Sequence, residues 1–552
     1  MDQSQSGEWR VADQSETAFR GFRENRENRT GEGIEKGRIR FMRSWILATL
    51  ICFAAGISLA AQDSSSESDP DQEIRRSLEK ITRVYHLVAT QLADPVEPDR
   101  AIFDGAIRGV LAALDPFSVF LDADQFQAFQ QQQRGVQQGF GAVLSVQPGQ
   151  VMVLQAIPGA PFARAGLGPG DRILRINGHR VASMDLQEMV EVLQQARSGR
   201  ARLSVVRSRQ VVPEELELDP TEVPSATVDK KFLLAAGIGY LHVAGIEQST
   251  PEEVQAVLAE WAGENLRGLL LDLRGNPGGS LEAAVATAGL FLPKGTVVVS
   301  LQGRAVPERA YRVENESAAP AIPLVVILDR RTASAAEIIA AALQEHDRAW
   351  LVGEASFGKG VVESVLPLGE ATALVLTTAR YLTSAGRSVQ RPLPGTALAG
   401  ILGGKARAFT SRRGRPLAEQ GGVEPDQKAE SWRLDPWAQF LEESTAFINF
   451  AQRYLERHGK IGEGFEVGDA VVEEFRRFLQ ESGVIIPPSW QAHLPFLKAR
   501  IQTELFNLVF GITRGDEVEV KADPQVQAAL QAVVRARELL SAGTVTSGVE
   551  RH

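Results

Sequence analysis

Ser334 and Lys359 are the two side chains whose types and setting best suit covalent chemistry. A serine hydroxyl is a poor nucleophile until a neighbouring base takes its proton. A lysine is such a base only as the neutral amine, so burial must bring its pKa down from about 10.4 towards the working pH. Leu324 to Leu328 is an apolar, β-branched run of strand length. Arg330 to Ser334 interrupts it, and alanine-rich Ala335 to Leu343 favours helix. Ser334 is therefore expected at a strand–turn–helix corner, where unpaired N–H groups and the helix dipole favour an oxyanion. A serine there is also an ordinary N-cap, and a lysine in a glycine-rich turn is also an ordinary solvated charge. The pair carries the reading; neither residue does alone.

A second corner accompanies the first. Gly268 to Leu273 reads as a buried strand ending in DLRGNPGG, Asp272 to Gly279, and a helix follows with Leu281, Ala284, Val285 and Ala288 on one face. Alternating strands and helices predict a layered α/β fold with its site at the strand C-termini. A Gly-Gly turn lets backbone N–H groups approach a reacting carbonyl, although a plain tight turn would use the same glycines.

The order TASAAEI, then SFGKG with Lys359 at 25 positions from Ser334, resembles the C-terminal processing (tail-specific) serine peptidases. DLRGNPGG, TTARYLTSAGRSVQ at Thr377 to Gln390 and GGVEPD at Gly421 to Asp426 continue that resemblance, as does LDPFS at Leu114 to Ser118. It implies Ser334 as nucleophile and Lys359 as general base. It implies an oxyanion hole from Gly278 or Gly279 together with Ala335, and a ClpP/crotonase-like core. No metal or organic cofactor is implied. One position departs from the family: four residues after the lysine stands Glu363, where the family has a glutamine that orients it. An ionised carboxylate there would favour the ammonium and oppose a neutral base, whereas a protonated one would imitate the amide.

The rest of the chain reads as several domains, as 552 residues lead one to expect. Residues 1–41 are polar and cannot build a core, which suits disorder or an over-extended start. Within residues 42–61, Trp45 to Ala61 is uncharged and mostly apolar, and ends near the small-x-small Ser58-Leu59-Ala60. It reads as a signal peptide or a membrane anchor, so the expected location is extracytoplasmic, periplasmic or membrane-anchored facing outside. Residues 62–72 are a linker. Residues 73–133 carry helical stripes, Leu78, Ile81, Val84 and Tyr85 and then Ile102, Ile107, Val110 and Leu111.

Residues 134–210 hold Gly139-Phe140-Gly141-Ala142, an alternating strand, PGAPFARAGLGPGD, an Asn177-Gly178 hairpin turn and an amphipathic helix. That order looks like a PDZ module, in which Gly139, Phe140, Gly141 and Ala142 would capture a peptide C-terminus. Residues 214–430 are the expected peptidase domain. Residues 431–552 read as helices at Trp437 to Tyr454, Val471 to Leu479, His493 to Phe510 and Pro524 to Leu540.

Composition closes off other classes. The net charge of −10 argues against a nucleic-acid binder. Cys52 is the single cysteine, which excludes internal disulfides and thiolate zinc sites. GEASFGKG at Gly353 to Gly360 nearly fits a phosphate loop, but Gly360 replaces the magnesium-binding hydroxyl and a strand-like run follows. His242 and His346 read as structural. The expected function is an exported serine endopeptidase that takes protein or peptide C-termini, with an adaptor, activator or homo-oligomer as further partners. The alternative keeps the fold and drops the reaction, as a PDZ-bearing peptide-binding scaffold with its dyad disabled by Glu363.

Overall fold

The structure, a computed structural model, describes residues 70–546 apart from short breaks, of which 397–407 is the longest. Residues 1–41, the Trp45 to Ala61 stretch and the greater part of the 62–72 linker lie outside the described residues. The chain divides into two units, Met1–Val96 and Glu97–His552. In the first, Pro70–Gln91 is one helix. Its expected apolar stripe forms but stays in solvent, with Leu78 and Ile81 at least half exposed.

The second unit is built on a six-stranded sheet in the spatial order Val228–Leu234, Ile238–Val243, Gly268–Asp272, Leu324–Leu328, Ala349–Gly353 and Gln427–Lys428. The first pair is antiparallel and the rest are parallel. A parallel sheet needs cover on both faces, which is why its strands are continuously apolar. Leu324, Val326 and Leu328 face a core shared with Val254, Ala284 and Ile339 of three helices, Thr250–Glu260, Leu281–Gly289 and Ala335–Glu345. Val325 and Ile327 face the opposite core, shared with Val526, Ala529 and Val533 of the C-terminal helix Pro524–Thr546. All five residues of Leu324–Leu328 are fully buried, so truncating one of the leucines to alanine costs about 2–5 kcal/mol. The C-terminal helix is thus a layer of the same α/β sandwich. Gly268 makes room for it, since a Cβ there would lie 2.7 Å from Val533 Cγ1.

A five-stranded sheet flanks this core. Its long strand Thr372–Thr383 pairs with Val361–Gly369, Val297–Gln302 and the short Val119–Leu121. The last of these brings the LDPFS segment against the site. Residues 142–218 form a separate antiparallel sheet with the helix Leu186–Arg197, the arrangement expected of the PDZ module. Helices Pro436–Glu443, Ala446–His458, Asp469–Glu481 and Leu494–Phe510 enclose their own aromatic core around Phe447, Phe450, Phe475 and Phe496. The Trp437 to Tyr454 run is two helices because Ser444 leaves helical geometry, with ψ of 172°. Helix Ile512–Ala522 went unread in the sequence; Gly511, at φ +87°, ends one helix and starts the next.

Candidate active site

Ser334 caps the helix Ala335–Glu345 at the end of the turn that follows the buried strand, with φ +53° and ψ −118°. A non-glycine residue held in such a conformation costs about 1–3 kcal/mol, and surrounding bonds must hold it there. Glu337 supplies one of them. Its Oε2 accepts from the Ser334 N–H at 2.8 Å and from the Lys359 N–H at 2.8 Å. Its Oε1 accepts from the Gly358 N–H at 2.8 Å and the Ser356 hydroxyl at 2.5 Å. Burial pushes the Glu337 carboxyl above its ordinary range, while four donors and no acceptor favour the ionised form. The Tyr381 hydroxyl makes the second tie, donating to the Lys359 carbonyl at 2.6 Å and facing the Ser334 carbonyl at 3.2 Å. Burial holds that phenol well above its usual pKa, so it remains a donor. One carboxylate and one hydroxyl therefore bind the backbones of Ser334 and Lys359 into a single unit.

Lys359 lies on the loop between Ala349–Gly353 and Val361–Gly369. The strand after it, rather than a helix, removes the phosphate-loop reading. Its Nζ sits 2.9 Å from Glu363 Oε1, and the two side chains are 24% and 18% exposed. That oxygen makes no aligned hydrogen bond, so the contact is an ion pair off the hydrogen-bond line. The Phe117 ring stands 5.0 Å from the same Nζ. Asp115 sets that ring: its carboxylate accepts from the Phe117 N–H at 2.8 Å and the Ser118 hydroxyl at 2.9 Å. Ser118 Oγ in turn accepts from the Thr377 N–H on the long strand at 3.1 Å.

The glycine corner meets the serine closely. A Cβ on Gly278, at φ +99°, would lie 2.8 Å from Ala333 O, Ala335 N and Ser334 Cβ. The Gly278 N–H is already taken by Asn276 Oδ1 at 2.8 Å, and Asn276 Nδ2 donates to the Val243 carbonyl. Gly279 bridges to Ile246 through its neighbours, Gly278 O and the Ser280 N–H. Among the described residues the N–H groups of Gly279 and Ala335 have no such bond.

The structure thus brings Ser334, Ala335, Gly278, Lys359 and Glu363 to one place. Gly139 to Ala142 lie elsewhere, at the rim of a cavity of about 490 Å³ lined by Leu144, Phe162, Ile173, Leu193 and Leu203. There the Phe140 and Gly141 carbonyls accept from Phe162 and Ile157, and a Cβ on Gly141 would strike Ala160 at 2.2 Å. His242 and His346 bond the carbonyls of Arg274 and Val297 and take no part at the serine. Glu337, Tyr381 and Phe117 were missed in the sequence. The Ser334-x-x-Glu337 spacing of a capping box was available as a signal; nothing local marks Tyr381.

The model of peptidase family S41 matches residues 237–397, that of the PDZ domain residues 152–207, and that of the activating protease CtpB N-terminal domain residues 48–125. The carboxy-terminal-processing protease of Bartonella bacilliformis is 30% identical over 354 residues, covering 62% of this chain and 81% of that protein. The carboxy-terminal processing protease CtpA of Bacillus subtilis is 28% identical over 348 residues, 63% of this chain and 72% of its own. Among solved structures, the photosystem II D1 C-terminal processing protease aligns with 65% of this chain and 92% of its own at 23% identity, with a TM-score of 0.36. By its sequence relatives, the chain belongs to the carboxy-terminal-processing serine proteases.

Proposed function

We propose that this chain is an exported endopeptidase that cuts protein substrates by acyl transfer, with Ser334 as nucleophile and Lys359 as general base. The carrying observation is the shared anchoring of the two residues by Glu337 and Tyr381. Lys359, released from Glu363 and neutral, takes the Ser334 proton as Oγ attacks the scissile carbonyl. The N–H groups of Gly279 and Ala335 receive the oxyanion, and the protonated Lys359 then returns its proton to the leaving amine. Water hydrolyses the acyl-enzyme by the same proton route. The PDZ cavity receives the substrate's apolar C-terminus, with the Phe140 and Gly141 turn at the carboxylate.

The test is cleavage of an unfolded protein with a free apolar C-terminus beside the same protein with its C-terminus amidated. Cleavage of the first and a raised KM for the second are expected. Equal kinetics for both would remove the C-terminal recognition. A second reading rests on the 2.9 Å Lys359–Glu363 contact: a peptide-binding protein whose lysine is kept as the ammonium. Saturable peptide binding with no cleavage between pH 6 and 10 would favour it.

A further inference from the structure

We propose that Asp523 and Gln525, far along the chain in the C-terminal helical segment, are positioning residues for peptide hydrolysis and act on the oxyanion corner through Arg274. The inference rests on the peptidase reading above. Arg274 opens the Arg274 to Gly279 turn that touches Ser334. Its Nη1 donates to Asp523 Oδ2 at 2.7 Å and to Gln525 Oε1 at 2.8 Å. Its Nε and Nη2 pair with the buried Asp272, whose carboxylate also takes the Tyr240 hydroxyl at 2.7 Å. The Arg274 carbonyl is held by His242 Nε2 at 3.0 Å, and the next N–H, of Gly275, by Asp329 at 2.9 Å. Two of these five partners come from the C-terminal segment.

The same two residues are fixed from their own side. Asp523 Oδ1 accepts from the N–H groups of Gln525 at 2.7 Å and Val526 at 3.1 Å, and so starts the helix that covers the sheet. Gln525 Nε2 donates to the Ala429 carbonyl at 2.9 Å. The cavity of about 1010 Å³ beside them is a joint rather than a ligand site, since the cations lining it already have partners. Lys230 pairs with Asp516, Arg330 with Glu354, Arg331 with Asp329 and Arg500 with Glu442. A guanidinium held on both sides fixes the direction in which the turn leaves the strand, and an oxyanion donor displaced by a fraction of an ångström loses much of its worth.

Asp523→Asn separates the two tasks of that carboxylate in the full chain. Asparagine still caps a helix through Oδ1, but turns an amide N–H₂ towards Arg274. The expected result is a fall in kcat of about tenfold or more with KM within about twofold, because oxyanion contacts strengthen in the transition state. Gln525→Asn, which withdraws the amide oxygen and leaves the cap intact, should lower kcat less and decides the matter should Asp523→Asn fail to fold. Combined with Arg274→Gln, either effect should largely vanish, since all act through one side chain. Unchanged kcat in the folded variants would overturn the inference, as would losses that multiply with Arg274→Gln or fall on KM alone. A wild-type chain without Ser334-dependent cleavage would instead remove the peptidase reading itself.

Discussion

Replacing Glu337 by glutamine should disable the site without removing either member of the dyad. The carboxylate takes four bonds, two on each oxygen. Glutamine keeps the shape but turns one oxygen into a donor. With the N–H₂ towards Ser356 and Gly358, the serine hydroxyl can turn to accept and one backbone N–H is orphaned, at a cost of about 1–3 kcal/mol. With the N–H₂ towards Ser334 and Lys359, both dyad N–H groups are orphaned, at about 2–6 kcal/mol. The first orientation is cheaper, so Tm should fall by about 2–12 °C at about 2–4 °C per kcal/mol. In that orientation Ser334 keeps its bond while Gly358, next to Lys359, loses its own, so the loop that carries the base loosens, and kcat should drop about 10–100-fold with KM little changed. Calorimetry and steady-state cleavage of the same preparation measure both. A Glu337→Gln protein matching wild type in Tm and kcat would refute the anchoring argument.

Three further outcomes follow from other contacts. Glu363→Gln removes the ion partner that lies 2.9 Å from Lys359 Nζ, so cleavage at neutral pH should rise, and a complete loss would show that the carboxylate is required. Gly278→Ala sets a Cβ against Ser334 and Ala335 at 2.8 Å on a backbone at φ +99°, so cleavage should be lost while peptide binding at the PDZ cavity, read by fluorescence titration, persists. In His242 burial alone would lower the pKa, but the bond to Asp229, the nearby Asp272 and the Arg274 carbonyl raise it on balance. A raised folded-state value stabilises the fold fully below the unfolded pKa of about 6.5 and fades as pH rises through the folded one; denaturant midpoints should decline above pH 6.5 in wild type and stay flatter in His242→Gln.

The fold was legible where pattern and burial coincide. Leu324 to Leu328 shows as a strand because five consecutive apolar residues must be covered on both faces, and the DLRGNPGG corner because its glycines occupy conformations other residues resist. Ser334 and Lys359 were legible as residue types in a recognisable order. What joins them was not. Tyr381 lies in a strand whose local pattern says nothing of where its hydroxyl ends, and Phe117 reaches Lys359 only through strand pairing across more than two hundred residues. The C-terminal helix read as part of a helical domain packed on the peptidase or on a second subunit, since Val526, Ala529 and Val533 mark an apolar face without saying which sheet it covers.

The most direct test of the central claim is labelling with a fluorophosphonate probe followed by peptide mapping in the mass spectrometer. One adduct on Ser334 is expected, formed in the wild type, slowed severely in Lys359→Ala and absent in Ser334→Ala. An adduct on another residue, or equal labelling rates with and without Lys359, would contradict it.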